Sequence, residues 1–203
     1  ISDHGFSTAN SHVEPERELA QAGLIDSPDS HEVIRASDSL YLRGRSRERL
    51  GEVIRFLASC PWIGGLFLRD DLLSECPGAM PQSTVLGNHP RSAEIMFSYR
   101  WSHEENAYGV PGSVASPGSI AATHGSASPY TINNTLIAWG PGFKEGLISE
   151  VPCGIVDVAP TALHLMGIAP QNDMDGRVLY ELLPDGPAPS SLKVSHHAQK
   201  TVY

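Results

Sequence analysis

Between residues 31 and 69 the apolar side chains change period twice, and this restricts the chain to folds that combine sheet with helix. Val33, Ile34, Leu40 and Leu42 fall in two short runs, residues 31–36 and 39–43, that predict strands. Leu50, Val53, Ile54 and Leu57 then recur at helical spacing behind Ser46, a candidate cap, which predicts a helix over residues 46–57. Ile63, Leu66, Phe67 and Leu68 return the pattern to a strand over residues 63–69, and residues 93–99 supply another. Strand, helix, strand in that order predicts a small α+β lobe covering roughly residues 30–100.

The flanks carry further elements. Residues 14–24 have Pro15 and acidic residues at their start and Gly23 near their end, the asymmetry of a short helix. Residues 158–166 repeat that signature, with Pro160 in the first turn and Gly167 at the end. Leu136, Ile137, Ala138 and Trp139 form a continuous apolar run that predicts a core strand. Residues 73–90 and 106–118 are rich in Gly, Pro, Ser and Asn and predict loops. Long loops within a compact domain are uncommon unless they serve function, so the second, which leads toward His124, is expected to border a site. No internal repeat is present.

Charge narrows the classes of partner. With 14 Lys and Arg against 23 Asp and Glu, the net charge of −9 repels a polyanion and argues against a nucleic-acid polymer. A small phosphorylated substrate held by metal ions stays compatible with it. No apolar run within these residues is long enough to span a bilayer, and no charged-then-apolar leader pattern occurs at their start. Cys60, Cys76 and Cys153 are odd in number and lack a C-x-x-C spacing, which predicts reduced, buried thiols.

Chemistry concentrates at two places. Asp3, His4 and Gly5 put a carboxylate and an imidazole side by side before a residue that permits a sharp turn, so that both could converge on a zinc-like cation. Alone, the pair reads more simply as a strand-end carboxylate beside a surface imidazole. A second segment, His124-Gly125 followed by Asn134, Thr135, Leu136, Ile137, Ala138 and then Gly140-Pro141, changes that reading. With both segments in place, the chain resembles the type I phosphodiesterase/nucleotide pyrophosphatase branch of the alkaline phosphatase superfamily. Residues 154–167, and Met174 to Leu179 after them, look like the closing helix and turn of the same domain, so the resemblance runs over residues 1–183.

The resemblance implies an α/β alkaline-phosphatase-like sandwich: a central, mainly parallel sheet flanked by helices, carrying the inserted lobe at about 30–100 and a tail at about 184–203. It implies hydrolysis of phosphodiester or nucleotide pyrophosphate bonds through a covalent Ser or Thr intermediate. Two divalent cations, zinc foremost, would share the charge of the transition state. Asp3 and His4 would hold one cation, at the end of a sheet strand, and His124 would help to hold the other. The family's nucleophile and remaining ligands precede its Asp-His-Gly, so the 203 residues are expected to be the C-terminal part of a longer catalytic domain. By themselves they would bind metal weakly or not at all and be inactive. Alternatives stay open: a sulfatase, phosphomonoesterase or phosphomutase on the same scaffold, or a folded fragment without catalysis. Thr123 and Ser126 are expected to make local turn hydrogen bonds, Asp157 to enter a helix, and Asp175-Gly176 to turn. His12, His31, His89, His164, His196 and His197 read as structural or solvent-exposed, and His103 as a weaker candidate for substrate contact.

Overall fold

The computed structural model describes residues 2–44, 47–77, 79–85 and 87–196. Ser46, the expected helix cap, and the end of the tail, including His197, lie outside the described residues. The described residues divide into two compact units: one is His4–Asn134, and the other takes Ser2, Asp3 and residues 135–196.

The first unit opens with β1 (Ser7–Val13), α1 (Pro15–Gln21), the hairpin β2 (Val33–Ala36) and β3 (Ser39–Leu42), α2 (Arg47–Ser59) and β4 (Ile63–Leu68). It continues with β5 (Met80–Pro81), β6 (Ile95–Tyr99), β7 (Trp101–Glu105), β8 (Pro111–Pro117), β9 (Ala122–Thr123) and the short helix α3 (Pro129–Ile132). The fold is mixed α/β with two mixed sheets and few helices. One sheet runs in the order β2-β3-β6-β4-β5, and the other in the order β7-β8-β1-β9. Parallel pairing occurs between β1 and β8 and between β4 and β5, and the remaining ladders are antiparallel.

The helical and strand spacings between residues 31 and 69 act as their periods require. Leu50, Val53, Ile54 and Leu57 turn inward from α2, and Leu66 and Leu68 meet them from β4 in one core with Leu40, Ile95 and Phe97. Glu94, buried beside this sheet, accepts from the Leu42 backbone at 2.8 Å and from Arg69 at 3.3 Å, satisfying a carboxylate that would otherwise be costly to bury. On α1, Pro15 occupies the first turn and Leu19 is buried, while Gly23 closes the helix at φ +69°.

Three expected features differ. Residues 106–118 are no open loop, because β8 fills most of them and pairs with both β7 and β1. Its buried positions are Gly112, Ser113, Val114, Ala115 and Ser116, small residues that pack without an apolar alternation to announce them. Residues 73–90 likewise include the end of one 3-10 turn, Asp70–Glu75, the whole of another, Gln82–Val85, and the short β5. Residues 136–139 form no strand: Ile137 is 78% and Trp139 95% exposed, and an apolar strand needs neighbours to cover both faces and satisfy its backbone.

The second unit contains α4 (Val158–Leu165), with Pro160 in the first turn and Gly167 at φ +73° as its stop. The Asp157 carboxylate accepts from the backbone of Gly154 and of Arg177, both at 2.8 Å, which is the helix-entry role its position predicts. Among the thiols Cys60 is buried, but Cys76 is half-buried and Cys153 exposed, so burial is not general; all three are free. No helix of the described residues is long and apolar enough to cross a membrane.

Candidate metal centre

His4 and His124 meet because β1 and β9 are antiparallel neighbours. Ser7 stands opposite Thr123 and Thr8 opposite Ala122, so the residues just before β1 and just after β9 leave the sheet at the same end. Asp3 and His4 precede β1, whose ladder with β9 begins only at Ser7; the strand end expected before Asp3 lies outside the described residues.

The backbone of Tyr130 pins this segment. The Gly5 N–H donates to the Thr131 carbonyl at 2.9 Å, and a β-carbon at Gly5 would lie 2.1 Å from the Tyr130 carbonyl oxygen. Glycine is thus required here by close approach of two backbones as well as by chain direction. The loop after His124 is equally fixed. Gly125 has φ +91°, Ser128 caps α3 by accepting from the Tyr130 N–H at 3.2 Å, and Thr131 joins hydroxyls with Ser7 at 3.0 Å and Ser126 at 3.3 Å. Thr123 donates to the His124 carbonyl at 3.3 Å. Thr123 and Ser126 so make the local turn bonds their setting predicts.

The result is a pair of imidazoles stacked with centroids 3.8 Å apart and planes 7° from parallel. His4 Nδ1 lies 2.9 Å from the Gly5 carbonyl oxygen, an acceptor only, so Nδ1 carries the proton and the lone pair of the neutral ring sits on Nε2. That is the tautomer a metal ligand needs, held by the backbone contact that commonly orients such ligands. Because ring lone pairs lie in the ring plane, two parallel stacked rings cannot converge on a single ion at the ~2 Å of a Zn–N bond. As placed, the two rings could each face a different ion but could not share one. Asp3, exposed, belongs with the other unit and adjoins His4 in sequence. Among the described residues no group of three or more His, Cys, Asp or Glu side chains is gathered in the manner of a metal site.

Two neighbours of the pair were not foreseen from sequence. Phe6, 61% exposed, stands edge-on to both rings, 5.2 Å from His4 and 5.4 Å from His124. Asp38, at the tip of the β2–β3 hairpin beside Ser37 at φ +57°, brings Oδ2 within 3.9 Å of where a Gly125 β-carbon would be. Burial holds the Asp38 carboxyl above the ordinary carboxylate range, partly offset by hydrogen bonds from its own backbone and Ser37 and by nearby His124. Neither residue lies in a motif; only the run of a Phe after His4-Gly5 was a visible signal.

Four of the remaining histidines are placed by other contacts, while His31 and His196 are exposed. His103 shares a 2.8 Å hydrogen bond with the Tyr130 hydroxyl and meets Trp101 edge-on at 5.1 Å, which ties β7 to the loop after His124. His12 pairs with Ser116 at 3.3 Å, His89 accepts from the Arg91 backbone at 3.1 Å, and His164 packs against Tyr180. Comparison with protein-family models, with curated proteins and with solved structures finds no match to this chain.

Proposed function

We propose that this chain forms the part of a metal-dependent phosphodiesterase or nucleotide pyrophosphatase domain that carries Asp3, His4 and His124, within an alkaline-phosphatase-like α/β sandwich. The observation that carries the reading is the stacked pair, His4 and His124, two imidazoles drawn from opposite ends of one unit to a single place. On this reading His4 and Asp3 serve one cation and His124 the other. When bound, the two cations supply Lewis-acid stabilisation of charge on the phosphoryl oxygens. The chain's own part is positional: the Gly5 carbonyl fixes the tautomer of His4, the β1–β9 ladder sets the ring spacing, and the Ser128-capped turn holds His124 in place. The nucleophile and further ligands belong to the longer polypeptide that the resemblance implies.

Two experiments test this. Calorimetric titration of the chain with Zn²⁺ should show weak binding that His4→Ala and His124→Ala each abolish; unchanged binding in both variants would reject the site. In the longer polypeptide, an aryl phosphodiester should be hydrolysed faster than the matching aryl sulfate. His124→Ala should lower that rate by about 100-fold or more, the usual scale for removing one charge-stabilising contact.

A further inference from the structure

A cavity of about 570 Å³ lies in the first unit, away from His4 and His124, against β1, β7 and β8. Its size is that of a small-molecule site, ~300–1,000 Å³. Part of the lining is a hydrogen-bonded polar chain. Asn10 donates to the Ser113 hydroxyl at 2.9 Å and to the Glu104 carboxylate at 3.3 Å, and Ser113 and Ser102 share a 2.7 Å hydrogen bond. The Glu18 carboxylate, also in the lining, accepts from the indole N–H of Trp62 at 2.6 Å. Arg100, which also lines the cavity, makes no side-chain hydrogen bond or ion pair among the described residues, although two carboxylates line the same space. Val13, Trp101 and Ala115 add apolar wall.

This lining selects by elimination. An anion would meet Glu18 and Glu104, a cation would meet Arg100, and an apolar ligand would strip water from all three without replacing its hydrogen bonds. An α-amino acid could match Arg100 with its carboxylate and only one of Glu18 and Glu104 with its ammonium, leaving the other carboxylate without a counter-charge. A neutral ligand with many hydroxyls answers every part: each hydroxyl both donates and accepts, so it can serve guanidinium, carboxylate, amide and serine alike. Its C–H faces can lie on the apolar wall.

We propose that this cavity, lined by both Arg100 and Glu104, is a carbohydrate site sized for a neutral disaccharide. The site is separate from the metal centre and does not depend on it.

Trp62 and Trp101 line the cavity and the third tryptophan, Trp139, is 95% exposed, so in Trp139→Phe the intrinsic fluorescence reports on the cavity. Maltose, cellobiose and lactose are titrated into this protein, with triglycine and inorganic phosphate as zwitterionic and anionic controls, and without added metal. The expected result is a saturable change with at least one disaccharide. Arg100→Ala and Glu104→Gln, both at exposed positions that leave the core intact, should each weaken it about tenfold, the effect of losing one charged hydrogen bond. Three outcomes overturn the proposal: no saturable change with any disaccharide up to about 50 mM, where specific binding is negligible; saturation by triglycine or phosphate in place of sugar; or sugar binding that both variants leave unchanged.

Discussion

A β-carbon at Gly5 would lie 2.1 Å from a backbone oxygen that cannot step aside, because Tyr130 is in α3 and its N–H is committed to the Ser128 cap. Gly5→Ala therefore has to push the segment before β1 away from α3. The expected cost is about 1–3 kcal/mol, as for an overpacked core site, together with loss of the His4–His124 stack. Urea unfolding measures the first, and ring-to-ring nuclear Overhauser contacts measure the second; an Ala variant with wild-type stability and intact contacts would show that the backbones are free to separate. The three residues His4, Gly5 and His124 could be picked out of the sequence as chemistry. Their geometry could not, since the pairing of Ser7 with Thr123 is a long-range register that neither segment encodes alone. Asp38 was invisible for the same reason: it reaches Gly125 only through the folding of a hairpin far along the chain.

Elements were legible where burial is one-sided and invisible where it is not. On α2 one face enters the core, so Leu50, Val53, Ile54 and Leu57 repeat with the helical period and the reading follows. On β8 five successive residues are buried, small and partly polar, and this erases the alternation that marks a strand. Ser113 is buried yet satisfied through Asn10 and Ser102, a solution the sequence does not advertise. Residues 136–139 show the reverse error, an apolar run that pattern alone assigns to a strand but that lacks a ladder. The contrast has a direct test by substitution. Leu57→Ala, at a fully buried position, should cost about 2–5 kcal/mol by denaturant unfolding. Ile137→Ala, at a position 78% exposed, should stay within about 0.5 kcal/mol. A large loss at Ile137 would mean that its segment is covered in solution.

At the scale of the whole molecule the two units are stabilised by different means. The continuous hydrophobic core, from Val13 to Ala115, belongs wholly to the unit His4–Asn134. The other unit buries Val178, Leu179 and Leu183 but leans on polar closure. Arg177 grips the Glu181 carboxylate with two hydrogen bonds, of 2.8 and 2.5 Å, and Lys144 donates to the carbonyls of Glu181, Gly186 and Pro187. The Arg177 hydrogen bonds hold the Glu181 carboxyl below its ordinary value of 4.5, with its own backbone and Lys144 acting in the same direction against the cost of burial. A carboxyl with a lowered folded-state pKa binds protons more weakly in the folded state than in the unfolded one. Its contribution is complete above the unfolded value near 4.5 and disappears as pH falls through the lower folded value. Acid should therefore open the Arg177–Glu181 unit before the unit with the large core. Hydrogen exchange followed from pH 6 to pH 3 should show protection lost first at Arg177, whose N–H donates to Asp157, and at Leu179, whose N–H donates to Thr161, while β4 and β6 stay protected. In Glu181→Gln the titrating group is gone, so that unit should be weaker at pH 7 and its remaining stability flatter with pH. Loss of protection in β4 and β6 at the same pH as in residues 177–183 would instead mean that the two units unfold as one.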